Sequence, residues 1–150
     1  MPGKLMAVAA FFLFTPWSIT MASDNPYAQR SKTRLPVTLE TDRRLMDALT
    51  RKSLPDLNTV YAQLHEDVDR IRKRLTDDGT ACACDVAHST LLIIIGFSIN
   101  KLDGEGRWQD WMEDESLELL ENYRRLVAAC GEDAGSPAFS GITDEMIKKL

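Results

Sequence analysis

Leu57, Tyr61, Leu64, Val68, Ile71 and Leu75 follow one another at spacings of 4, 3, 4, 3 and 4. That is the signature of one apolar seam on an amphipathic helix, here over roughly 54–77. Its ends carry their own signals. Ser53-Leu54-Pro55-Asp56 supplies a capping hydroxyl, a proline in the first turn and an acid three residues on. Asp77-Asp78-Gly79 closes the helix, with Gly79 free to turn left-handed. Upstream, Leu45, Met46 and Leu49 share a face of a shorter helix expected near Thr38–Arg51. Residues 23–36, with Asn25-Pro26, the charged stretch Arg30 to Arg34 and Pro36, show no period and are expected to form a flexible N-terminal arm.

The third segment, about 81–102, is apolar on nearly every side, through Val86, Ala87, Leu91 to Ile95, Phe97, Ile99 and Leu102. Leu91 to Ile95 alone would suit a buried strand, but the run of some twenty residues fits a helix at the centre of a bundle. Gly96 inside it points to a close helix contact or a kink. After the turn Asp103-Gly104-Glu105-Gly106, a fourth helix over about 107–130 carries Trp108, Met112, Leu119, Tyr123, Leu126 and Cys130 on one stripe, with Gly131 ending it. A loop over 131–142 precedes a short helix opened by Thr143, with Met146, Ile147 and Leu150 on one side. The pattern predicts an all-α fold: a compact bundle of four main helices plus a short C-terminal helix, spanning 37–150.

The start of the chain changes the picture. Residues 1–22 present Lys4, the apolar run Leu5 to Phe14, a break at Pro16 and small residues ending at Ala22. This order is that of a signal peptide, and it predicts a periplasmic or secreted protein. The apolar run is about half of what a spanning helix needs, so membrane attachment would require an uncleaved N-terminus. Removing 1–22 takes away Lys4 and no acid, which leaves 17 Lys+Arg against 23 Asp+Glu, a net charge of −6. An exported acidic chain is a poor binder of nucleic acid, which must be neutralised by basic side chains.

Three cysteines, Cys82, Cys84 and Cys130, enter that oxidising compartment. The short turn makes helices three and four antiparallel, so the start of one lies beside the end of the other. At 1.5 Å rise per residue, Cys84 and Cys130 fall at similar heights, and a Cys84–Cys130 disulfide is expected. Cys82 is the rival partner, although it points to the opposite face. The leftover thiol also leaves room for a homodimer. The alternative chemistry is a metal site of Cys82, Cys84 and His88, since thiolates and an imidazole at i, i+4 suit soft ions. It has fewer ligands than a structural zinc site. His88 alone reads as a hydrogen-bonded core histidine.

Catalytic patterns are weak. Gly96-Phe97-Ser98-Ile99-Asn100 lacks the final glycine and preceding strand of a nucleophile turn. Asn100 to Gly106 does not match a calcium loop. The acids Glu113, Asp114, Glu115, Glu118 and Glu121 suit the positive end of helix four better than a carboxylate pair across a cleft. Trp111, beside that run, is an aromatic flanked by charge, as at many interfaces. The expectation is therefore a non-catalytic exported protein without a cofactor. It would bind another exported protein as inhibitor, immunity protein or chaperone, with a basic toxin or cell-wall hydrolase as partner. Trp111, Glu113, Asp114 and Glu118 are the candidate contact residues. The alternative is a small periplasmic metal-binding protein.

Overall fold

The computed structural model describes residues 26–106 and 108–150. The signal peptide read at 1–22, its cleavage site and residues 23–25 lie outside the described residues. Five helices follow in order: α1 Pro26–Arg51, α2 Leu54–Asp78, α3 Ala83–Asp103, α4 Trp111–Ala134 and α5 Asp144–Lys148. Among the described residues there is no strand.

Cross-helix contacts give the topology. Arg34 of α1 meets Asp67 of α2, while the later Arg44 meets the earlier Gln63, so these helices run antiparallel. Arg74 and Asp67 of α2 bond Asp85 and His88 of α3 in reversed order. The start of α3 is bonded to the end of α4 through Cys84 and Cys130, and the end of α3 to the start of α4 through Lys101 and Glu113. The result is a four-helix bundle in which each helix neighbours the next and α1 closes against α4. The α1/α2 seam is the least closely packed of the four.

The capping signals act as the sequence reading expects. Ser53 accepts a hydrogen bond from the Asp56 amide at 3.4 Å, and Gly79, at φ 70°, donates its N–H to the Leu75 carbonyl at 3.0 Å. The core joins Leu45, Leu49, Leu57, Leu64, Leu91, Ile94, Ile95, Leu120, Tyr123 and Val127, all essentially inaccessible to water.

Four expectations need correction. The segment read as an irregular arm is helical from Pro26, which makes α1 continuous through Pro36 to Arg51. Its inward positions recur at helical spacing, but they are Ser31, Leu35, Thr38 and Asp42, mostly polar, so no apolar period marks them. Pro36 sits on the exposed outer face. The carbonyls that its ring leaves unpaired can there turn to water. The fourth helix starts at Trp111 and runs past Gly131 to Ala134, with Gly135 at φ 71° as its left-handed end. Gly131 has a different task. A Cβ there would come within 2.7 Å of the Ala138 nitrogen and the Ser136 carbonyl, so glycine lets the returning loop lie on α4. Gly96 meets only ordinary contact with Tyr61 at 3.8 Å, not a close helix approach. α3, read as the centre of the bundle, leaves Val86 and Ile93 on the surface.

Candidate functional site

Cys84 and Cys130 form the disulfide, with Cα atoms 5.2 Å apart and 46 residues of separation. Both are fully buried. A buried disulfide fits an oxidising environment. Cys82 is the free thiol; it is buried at the N-cap of α3 and does not share the bridge. Burial pushes its thiol pKa up, and the nearby Asp85 carboxylate adds to this against the opposing bonds from the Asp85 backbone and Ser31. The thiol is thus kept protonated and a poor nucleophile toward the adjacent bridge.

The alternative metal set is broken up by these partnerships. Cys84 is bridged, and both ring nitrogens of His88 are engaged elsewhere: Nδ1 lies 2.6 Å from Asp67 Oδ2 and Nε2 lies 2.9 Å from Thr38 Oγ1. Among the described residues, no group of three or more His, Cys, Asp or Glu side chains is arranged to hold a metal.

His88 belongs to a buried polar network between α1, α2 and α3. Arg34 bonds both oxygens of Asp67, one at 3.1 Å, and its Nε lies 3.2 Å from Asp85 Oδ1. Arg74 holds the other Asp85 oxygen at 2.5 Å, and that same oxygen accepts the Cys82 amide at 3.2 Å. Burial pushes the Asp67 pKa up, but the bonds from His88 and Arg34 outweigh it and hold this carboxyl well below the usual carboxylate range. Asp67, His88 and Thr38 stand in an acid–imidazole–hydroxyl chain. Thr38 is fully enclosed and also bonds the Arg34 carbonyl at 3.2 Å, so this chain joins helices. A second node is Asp42, whose carboxylate accepts from Tyr123 Oη at 3.1 Å, Ser140 Oγ at 2.5 Å and the Gly141 amide at 2.8 Å. It pins the 135–142 loop across α1 and α4.

Sequence reasoning singled out His88 and missed Arg34, Asp42, Asp67, Arg74 and Asp85 as partners. One signal was available. Asp67 and Arg74 are seven residues apart on the edge of the α2 seam, in phase with Val60 and Ile71. Charged groups held at such an edge meet a neighbouring helix.

The candidate contact residues separate into two kinds. Glu113 is tied down: its carboxylate accepts Lys101 Nζ at 2.6 Å. That ammonium also bonds the Ile147 and Lys148 carbonyls, at 3.1 and 3.2 Å, and lies 5.1 Å from the Trp108 ring centre. It thereby joins α3, α4 and α5. Trp111 is 53 % exposed and packs edge-on against Phe97, ring centres 6.0 Å apart. Phe97 continues a line on α3 through Ile93, 49 % exposed, to Val86, 44 % exposed. At spacings of 7 and 4 these three share one side of the helix, a ridge about 16 Å long before Trp111 extends it. Asp114, Glu115 and Glu118 are exposed along the following turns of α4.

Compared with known protein families, curated proteins and solved structures, the chain matches none. The functional reading therefore rests on this geometry.

Proposed function

We propose that the chain is a small, exported, non-catalytic protein that docks another exported protein on its α3/α4 face. The observation that carries this reading is the line Val86, Ile93, Phe97 and Trp111, apolar side chains on one side of the bundle with a tryptophan packed on Phe97 at one end. Exposed apolar side chains gathered on one face with a polar border fit an interaction site, where tryptophan is a frequent anchor. Asp114, Glu115 and Glu118 set an acidic border beside it, so the fitting partner offers an apolar socket rimmed by Lys and Arg. A basic toxin or cell-wall hydrolase, with this chain as inhibitor or immunity protein, has that chemistry. The periplasm is the compartment that joins the buried disulfide to the apolar N-terminal run.

The test places a photo-crosslinking side chain at Ile93 in the producing cell, with Thr59 on α2 as the control position. The reading predicts one adduct from position 93, absent from position 59 and abolished by Trp111→Ala. The purified partner should then bind less tightly at high salt and fail to bind Asp114→Lys/Glu118→Lys. Equal adducts at both positions, or binding indifferent to Trp111, overturns the reading. An adduct of two copies of this chain replaces it with self-association.

A further inference from the structure

On the far side of the bundle, the loosely packed α1/α2 seam opens into a hollow of about 400 Å³, within the range of small-molecule sites. Pro36, Val37, Val60 and Leu64 give it an apolar lining. A second hollow, lined by Arg34, Arg70 and Arg74, adjoins it and shares Val37, Asp67 and Arg70. The charges there do not balance. Four guanidiniums, of Arg34, Arg44, Arg70 and Arg74, face three carboxylates, of Glu40, Asp67 and Asp85, and Asp67 and Asp85 are already held at short range by Arg34 and Arg74. Arg70 reaches Asp67 only at 3.7 Å and is the most exposed of the four. At the opposite rim Arg44 bonds the neutral amide of Gln63.

We propose that this groove binds a small apolar monoanion, a carboxylate or sulfonate with an alkyl or aryl body. The body lies over Val37, Val60 and Leu64, and the anionic head pairs with the outlying Arg70. One excess positive charge beside an apolar hollow selects a single negative charge. A second anionic group at the other end would meet Glu40. Cations meet the arginines, and neutral analogues bring no charge to pair with Arg70. The site lies on α1 and α2 and is separate from the α3/α4 ridge, so either can fail while the other stands.

Decanoate, decanol and decyltrimethylammonium, each below its micellar concentration, are titrated into the full oxidised chain by calorimetry and amide NMR. Decanoate should bind one to one and move amide signals of α1 and α2, and the other two should not saturate. Arg70→Gln should weaken decanoate by about tenfold, the size of one lost charge-assisted contact. Val37→Trp, at an exposed position, should fill the hollow and abolish binding. Circular dichroism confirms that both variants keep the fold. Equal binding of decanol and decanoate, an unaltered affinity in Arg70→Gln, or shifts centred on Ile93 and Trp111 would each overturn the assignment.

Discussion

The α3/α4 pair and the α1/α2 pair are built by different physical means. The first is joined covalently by Cys84–Cys130 at one end, tied by Lys101–Glu113 at the other, and filled between with aliphatic side chains. The second is joined through Arg34, Asp67 and Arg74 to each other and to Asp85 and His88 at the start of α3, beside a groove lined by both helices. An apolar, bridged pair resists pH and depends on redox state. An ionic seam tolerates reductant and depends on protonation. The difference also divides the surface: an exposed apolar ridge with acids on one side, an arginine-lined groove on the other.

Asp85→Ala should have the largest effect. It removes a carboxylate only 1 % exposed, strips Arg74 of its carboxylate and leaves Arg34 with Asp67 alone, a loss of about 3–4 kcal/mol measurable by urea unfolding. Replacing Cys84 and Cys130 together with alanine should cost somewhat less, about 2–3 kcal/mol, because it mainly frees the unfolded chain. If the disulfide variant lost far more than Asp85→Ala, the ionic seam would be secondary and the contrast would collapse.

Acid should act on the ionic side. Asp67 has a folded pKa below its unfolded one, so its stabilisation is full above the ordinary carboxylate range. It is lost as pH falls below about 4. Unfolding free energy followed from neutral pH downward should therefore drop, and Asp67→Asn should flatten that dependence while lowering stability at neutral pH. The smallest effect is expected on the ridge. Trp111→Ala should change stability by no more than about 0.5 kcal/mol while removing partner binding, which separates a docking residue from a packing one.

How far the chain could be read follows the same division. The apolar seam of α2, its Ser53 and Gly79 ends and the height match of Cys84 with Cys130 were all legible, because apolar period and helical rise are local properties. The first half of α1 was not. Ser31, Thr38 and Asp42 all face inward, and the partners of Thr38 and Asp42, His88 and Tyr123, are 50 and 81 residues away. Pro36 reinforced the wrong reading by sitting on the one face where a helix tolerates it. Gly131 carried the usual mark of a helix end, yet it answers a steric demand from Ser136 and Ala138 that no window around it shows. Trp111 was visible as a candidate, but its continuation through Phe97, Ile93 and Val86 needed α3 to turn that side outward.

Hydrogen exchange, resolved by residue and corrected for intrinsic rates, tests the contrast most directly. It compares the oxidised chain at neutral pH, the oxidised chain at about pH 3, and the reduced chain at neutral pH. Acid should strip protection first from α1 around Ser31–Asp42 and from the facing half of α2, while the amides near Cys84 and Cys130 stay slow. Reduction should do the reverse. Loss of protection in the same order under both conditions would contradict the account, since it would mean that neither the ionic seam nor the disulfide adds local stability to the core the helices share.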